Sequence, residues 1–210
     1  MAAPVTIEAI RQLSSERIEI ALSDGETLKG SISDLAELRL YRGQPLDEAT
    51  LETVRSACAL SMTKARALDA LSRRMLSARE LEKKLLQKGE DERVVARCIR
   101  WLEDNRLLDD EAYAAAVARH YAAKGYGAGR IRSELCRRGL SRALWDDAIA
   151  QRPDNTKKMD AFIAARLHNP EDRDQVRKVS AALFRRGYGW DEIRAALARF
   201  RAEAPDEENG

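Results

Sequence analysis

Hydrophobic and polar positions alternate near the start of the chain and follow a helical period in the remainder. The stretch Arg17–Leu22 alternates strictly, which is the period of a half-buried strand. An Asp24-Gly25 turn follows, and Thr27–Ile32 can pair back as a second strand. Because an isolated hairpin is only marginally stable, we predict that it packs on a short helix over Ser33–Leu40.

Beyond residue 45 every periodic segment is helical. Asp47 is a suitable N-cap for a helix that runs to about Met62, and a separate helix is predicted over Lys64–Arg74. Ser77 and Glu80 have the spacing of a capping box, in which each side chain accepts a hydrogen bond from the other residue's backbone amide. A new helix is therefore predicted to begin at this point.

The helical part of the chain is repetitive. Overlaying Leu76–Leu81 on Tyr126–Ile131 at a constant offset also brings Gly89 onto Gly139. Both glycines are predicted to end a helix in the left-handed conformation. A third copy appears at Arg185–Ile193, at a longer offset that brings Leu135 onto Leu197.

These observations predict a mainly α fold, with tandem three-helix repeats forming an elongated curved array and a small N-terminal β-hairpin segment. The longer second offset leaves room for an additional helix over Thr156–His168. The predicted organisation is a hairpin and short helix over 1–45, a linker helix and first repeat over 46–106, a second repeat over 107–152, a third repeat over 153–203, and an acidic disordered tail over 204–210.

Charge is distributed unevenly along the chain, although the formal net charge is only +2. Residues 1–62 contain 6 Lys or Arg and 10 Asp or Glu, whereas residues 63–152 contain 20 and 14. Residues 153–201 contain 11 and 7. The helical part is therefore basic, which favours a nucleic acid or an acidic protein surface as partner, although a solvated helical surface explains the same charges equally well.

Cysteine usage and hydropathy indicate a cytoplasmic protein. The three cysteines Cys58, Cys98 and Cys136 are far apart and each lies in a helical pattern, which is typical of buried free thiols in a reducing compartment. The N-terminus lacks the pattern of a secretory signal, and no apolar run is long enough for a membrane span. We expect no association with a membrane.

No arrangement of residues indicates catalysis. His120 and His168 are far apart in the chain, and neither lies beside a cysteine or carboxylate at ligand spacing. The glycines of Gly125–Gly129 do not follow a strand, so we interpret them as helix punctuation instead of a dinucleotide-binding loop. Asp109–Glu111 and Asp146-Asp147 form no cluster. We expect a protein without enzymatic activity, cofactor or metal.

Basic residues that flank the helix ends in all three repeats are the more informative signal. If the repeats lie side by side, these residues form a basic stripe, although cations near helix C-termini are favoured in any case. We predict that the basic stripe binds the phosphates of a nucleic acid or an acidic protein surface, and it comprises Arg73, Arg74, Lys83, Lys84, Lys88, Lys124, Arg130, Arg132, Arg137, Arg138, Arg185, Arg186 and Arg194.

Several motifs resemble the RecX family of regulatory proteins across nearly the whole chain. The two most specific are Leu107–Tyr113 and Gly125–Gly139, which occur in the order and spacing of the family, and Ser77–Leu81 adds to the resemblance. The chain departs from the family pattern where Met75-Leu76 follows an arginine pair and where Ala128-Gly129 replaces the more usual Pro-Arg.

The resemblance implies a non-enzymatic regulator of RecA, and we separately expect the protein to be a monomer. Members of the family are understood to bind RecA and to lie in the groove of the RecA–single-stranded DNA filament. They inhibit filament extension, ATPase, strand exchange and co-protease activity, which places them in homologous recombination, DNA repair and the SOS response. Direct binding to single- or double-stranded DNA is a further expectation. The alternatives are a helical-repeat nucleic-acid-binding protein that acts alone and, less favoured, an enzyme.

Overall fold

The computed structural model describes residues 4–203 and contains two compact units, Met1–Leu108 and Asp109–Gly210. We call these the N-terminal unit and the C-terminal unit, and each is described by itself. The acidic tail predicted at 204–210 lies outside the described residues. No helix within residues 4–203 has the length and apolar character needed to cross a membrane.

The N-terminal unit begins with a four-stranded antiparallel sheet of order β3-β2-β1-β4. The predicted hairpin is confirmed as β2 (Arg17–Leu22) and β3 (Thr27–Ser31). Two strands extend the predicted hairpin: β1 (Val5–Gln12) pairs along β2, and the two-residue β4 (Pro45–Leu46) pairs with the start of β1. An isolated hairpin is only marginally stable, and the two additional strands enlarge the sheet beyond that limit.

The short helix expected over residues 33–40 is broken into two pieces. An α-helix, α1, covers Ile32–Leu35 and a 3₁₀ turn covers Ala36–Leu38. The turn ends at Arg39, whose φ of 46° is left-handed and terminates the helical path. The Leu35 side chain is buried in the core of the sheet.

One continuous helix, α2 (Glu48–Arg73), replaces the two helices predicted before and after residue 63. The predicted break was wrong: the helix continues through residue 63, and its polar residues Ser61 and Thr63 are buried with partners for their hydroxyls. The Ser61 hydroxyl accepts a hydrogen bond from the backbone amide of Ser31 at 2.7 Å. The Thr63 hydroxyl donates to the Glu90 carboxylate at 2.6 Å. Neither side chain competes with the helix for its backbone hydrogen bonds.

The first three-helix repeat consists of the end of α2, α3 (Ala78–Leu86) and α4 (Glu92–Asp104). The predicted capping box is confirmed at the start of α3, with both reciprocal hydrogen bonds present. Gly89 follows α3 with φ +84°, the left-handed conformation predicted for it. The core of this repeat is formed by Ala67, Ala70, Leu76, Leu81, Leu85, Val95, Cys98, Leu102 and Leu108.

The second repeat opens the C-terminal unit and consists of α5 (Asp110–Ala123), α6 (Ala128–Arg137) and α7 (Trp145–Ala150). The N-cap residue of α5, Asp109, accepts a hydrogen bond from the amide of Ala112 at 2.8 Å. The repeat closes on an apolar core of Tyr113, Ala114, Val117, Ala118, Ala122, Ile131, Leu135, Leu140, Ala148 and Ile149.

The third repeat consists of α8 (Thr156–Ala164), α9 (Arg173–Arg185) and α10 (Trp190–Glu203). The offset that brings Leu135 onto Leu197 also brings α5 and α6 onto α9 and α10, so the additional helix α8 precedes them in chain order. Its core is formed by Met159, Ile163, Leu167, Val179, Leu183, Tyr188, Ile193 and Ala196. The mainly α fold with three three-helix repeats is therefore confirmed.

Candidate binding surface of the C-terminal unit

The second and third repeats meet through direct backbone contact. The amide of Gly127 donates to the carbonyl of Arg186 at 2.9 Å, and the amide of Gly129 donates to the carbonyl of Gly187 at 2.8 Å. We call these four residues the glycine joint. It connects the start of α6 to the turn between α9 and α10, so two turns that each follow a helix are hydrogen-bonded to one another.

The glycine joint has no room for side chains. A Cβ atom on Gly127 would lie 2.3 Å from the Gly187 carbonyl oxygen, and one on Gly187 would lie 2.1 Å from the backbone nitrogen of Arg130. Gly187 also has φ +88°. Interpreting these glycines only as helix punctuation was therefore incomplete, because they also permit this close approach. The sequence contains one sign of this contact, because the same Gly-Tyr-Gly motif occurs at Gly125–Gly127 and at Gly187–Gly189.

Polar side chains reinforce the contact between the two repeats. The Asn155 amide donates to the Tyr126 carbonyl at 2.9 Å, and the Lys158 ammonium donates to the Ala123 carbonyl. The Arg186 guanidinium donates to the Gly125 carbonyl at 3.3 Å and lies 4.6 Å from the centre of the Phe162 ring. Arg186, which we predicted as part of the basic stripe, is thus positioned as a structural residue of this contact.

A buried carboxylate organises three of the other predicted arginines. Glu134 is 4% exposed and lies 2.7 Å from Arg137, 3.3 Å from Arg130 and 3.9 Å from Arg138. Burial alone would raise the pKa of Glu134, but the hydrogen bond and charge of Arg137, with further help from Arg130, lower it. Part of the positive charge of these arginines is therefore compensated internally.

A groove of about 510 Å³ lies beside the glycine joint, between α6 and the α9–α10 turn. We call it the arginine groove, since Arg130, Arg132 and Arg185 are among its lining residues. Arg132 pairs with the exposed carboxylate of Asp146 at 3.1 Å. Within the described part of the chain, the side chain of Arg185 forms no hydrogen bond or ion pair. The full lining is Ala128, Gly129, Arg130, Arg132, Ser133, Phe184, Arg185, Gly187, Tyr188, Gly189 and Glu192.

Phe184, which lines the arginine groove, and Trp190, which stacks on it from outside the lining, were not predicted as functional residues. Phe184, in the last turn of α9, stacks on Trp190, the first residue of α10, with ring centres 5.1 Å apart and planes inclined by 19°. The two residues remain 51% and 54% exposed. In the sequence they look like ordinary amphipathic positions, and only the turn between the helices brings them together.

Two further stripe residues of the C-terminal unit, Lys124 and Arg194, are exposed. Lys124 is the C-cap residue of α5 and is exposed. Arg194 is exposed on α10 and pairs with Asp191. The structure thus brings Arg130, Arg132 and Arg185 to one groove, while Arg137, Arg138 and Arg186 lie outside its lining and, like Arg130, have internal partners.

The five stripe residues of the N-terminal unit differ in their partners. Arg73 pairs with Asp69 at 3.0 Å, and Arg74 lies 3.5 Å from Glu80 of the capping box. The other three are on or just after α3, and within residues 4–203 no ion pair is formed by Lys83, Lys84 and Lys88. That all three repeats contribute to one continuous basic stripe stays a prediction.

The structure also shows which cysteines are buried and whether potential metal ligands lie close together. Burial raises the pKa of Cys58 and of Cys98 to about 11, as expected for inert thiols. The prediction for Cys136 was wrong: it is exposed, because it follows Leu135 and so points away from the buried face of α6. Among the described residues, no group of three or more His, Cys, Asp or Glu is arranged to hold a metal ion.

Family models match all three helical repeats in order. The first three-helix domain of RecX matches residues 64–102, the second matches 109–149 and the third matches 164–197. A regulatory protein RecX from Xanthomonas axonopodis pv. citri is 39% identical over 141 residues, which cover 66% of this chain and 86% of that protein. The chain belongs to the RecX family.

Other RecX proteins agree with this assignment. A regulatory protein RecX from Vibrio campbellii is 32% identical over 65% of this chain and 90% of its own. A crystal structure of regulatory protein RecX superposes with a TM-score of 0.75 at 28% identity, covering 95% of this chain and all of that one. The crystal structure of RecX from Lactobacillus salivarius, at 22% identity and a TM-score of 0.63, has the same fold over 69% of this chain.

Proposed function

We propose that this RecX-family protein is a non-enzymatic, monomeric regulator that binds RecA and the RecA–single-stranded DNA filament in the cytoplasm. Binding in the filament groove would inhibit filament extension and, with it, ATPase, strand exchange and co-protease activity. The observation that carries the proposal is the presence of all three RecX domains, in order, in one chain. RecX proteins are regulatory proteins, and no step of the proposed function requires a catalytic group.

The arginine groove gives this proposal a specific contact surface. Arg130, Arg132 and Arg185 line a cleft whose shape is fixed by backbone hydrogen bonds. A preformed, positively charged cleft suits a filament whose surface carries phosphates and acidic side chains, because little ordering cost accompanies binding. Lys83, Lys84 and Lys88 on the first repeat are further candidates for the same role.

The test is suppression of the DNA-dependent ATPase of RecA at protein concentrations far below those that coat the DNA. The variant R132E/R185E reverses two groove charges without touching the buried Glu134. We expect it to need about tenfold more protein for half-maximal suppression, a loss of about 1.4 kcal/mol.

The matched control is R177E/K178E, which makes the same change in charge on exposed residues of α9 outside the groove. We expect suppression by this control to stay close to that of the wild type. Suppression that requires stoichiometric coating of the DNA would instead favour a nucleic-acid-binding protein that acts alone. Equal effects of the two variants would remove the arginine groove from the proposal.

A further inference from the structure

The exposed aromatic pair at the arginine groove is unusual for a solvent-facing surface. Phe184 and Trp190 each leave about half of their surface in water, although burying such rings is strongly favourable. Their mutual stack joins the end of α9 to the start of α10 and therefore has a structural role. That role does not use the exposed parts of the rings, and contiguous exposed apolar surface is typical of a binding site.

The charges beside this pair favour an anionic ligand. Three arginines line the groove together with a single carboxylate, Glu192. That carboxylate accepts a hydrogen bond from the Gly189 amide at 2.7 Å and lies 3.5 Å from Arg152. Its charge is thus already compensated by neighbouring groups. Of the lining arginines, Arg130 pairs with the buried Glu134, Arg132 pairs only with the exposed Asp146, and the Arg185 guanidinium has no ion pair within residues 4–203, so Arg132 and Arg185 are the groups that can act on a ligand.

We propose that the arginine groove binds a segment of single-stranded nucleic acid, with an unpaired base against the Phe184–Trp190 pair and the adjoining phosphates near Arg132 and Arg185. Flat aromatic faces next to cations are the usual means of holding unpaired strands, because every base has a ring face and every nucleotide a phosphate. The volume of about 510 Å³ is within the range of pockets that hold small molecules. A duplex keeps its bases stacked inside and cannot use the aromatic pair.

The glycine joint makes the groove rigid. Gly129 and Gly187 belong both to the joint and to the groove lining, so the hydrogen bond between them fixes the distance across the floor. The groove is consequently formed before any ligand arrives. The inference rests on the proposed function, because it identifies the unpaired strand as the component of the filament that this groove contacts.

The experiment measures fluorescence anisotropy of labelled strands with the full chain and no RecA. The strands are a short oligothymidylate, an abasic strand with the same number of phosphates, and the corresponding duplex. We expect oligothymidylate to bind about tenfold more tightly than the abasic strand, as one stacked base contributes. Equal affinity for the two single strands would overturn the proposal, because attraction to phosphates alone would then explain binding.

The variant F184L/W190L keeps apolar side chains but removes both rings. It should bind the abasic strand as the wild type does and lose the preference for oligothymidylate. The control Y41L removes another exposed aromatic ring, which is 60% exposed and lies in the N-terminal unit, and it should keep the preference. Far-ultraviolet circular dichroism and thermal melting establish that each variant folds.

Parallel RecA ATPase assays separate this inference from the proposed function. The inference would be overturned if F184L/W190L no longer suppressed the RecA ATPase but still preferred oligothymidylate over the abasic strand as the wild type does. The rings would then contact protein and not a base. A wild-type chain that prefers base-bearing strands but never suppresses RecA would support the inference and contradict the proposed function.

Discussion

Replacing Gly187 by alanine tests the backbone contact between the second and third repeats. The new Cβ would lie 2.1 Å from the backbone nitrogen and 2.8 Å from the Cβ of Arg130. Both are far below any normal contact distance, and the nearest atom is backbone that cannot rotate away. The residue must also keep φ near +88°, which L side chains rarely adopt.

Two costs therefore add for Gly187→Ala. Left-handed strain contributes about 1–2 kcal/mol, and forced separation of packed backbone contributes about 1–3 kcal/mol. We expect a loss of about 2–5 kcal/mol in the free energy of unfolding of the C-terminal unit. The loss is large compared with the total stability of a small domain.

Gly125→Ala is the matched control because it isolates the first cost. Gly125 has φ +75° in the same unit, but its Cβ would make only an ordinary contact, 3.6 Å from the Cβ of Lys158. Urea unfolding followed by tryptophan fluorescence compares the two variants. If Gly187→Ala were no more destabilising than Gly125→Ala, the backbones of the two repeats would not approach as closely as described. The arginine groove would then have no rigid backbone contact beside it.

Three further predictions concern other parts of the molecule. The pKa of Glu134 is lowered below its ordinary value of 4.5, so its stabilising contribution is present above that value and is lost as the pH falls through the lowered pKa. Glu134→Gln should cost about 1–2 kcal/mol at pH 7 and less at pH 3, and a melting-temperature difference that did not shrink would contradict this sign. A maleimide should label Cys136 in the native protein and reach Cys58 and Cys98 only after unfolding, which mass spectrometry detects; equal labelling would refute the assigned burial. Ile131→Ala should destabilise the second repeat by about 2–4 kcal/mol in a thermal melt, whereas an unchanged melting temperature would contradict its complete burial.

Features determined by neighbouring residues in the sequence were predictable. The capping box of Ser77 and Glu80, the left-handed Gly89 and the hairpin turn at Gly25 each depend on a few consecutive residues. The repeat was predictable for the same reason, because equivalent positions such as Leu81, Ile131 and Ile193 are all buried in their own repeat. Periodicity reports which face of a helix is covered.

Features that depend on distant partners were not predictable. The buried hydroxyls in the middle of α2 find their partners in other elements, Ser31 for Ser61 and Glu90 for Thr63. Which arginines are paired inside the protein depends on the buried carboxylate of Glu134. Counting charges in the sequence does not show that this carboxylate is buried. The stacking of Phe184 on Trp190 depends on the path of the turn between them.

The long helix α2 has a consequence for how the N-terminal unit unfolds. Its first half supplies Leu51, Val54 and Cys58 to the core under the sheet, and its second half supplies Ala67 and Ala70 to the first repeat. Melting the middle of this helix would remove support from both cores at once. We therefore expect the strands and the first repeat to unfold in one cooperative transition, and a truncation that deletes the strands to destabilise the first repeat as well.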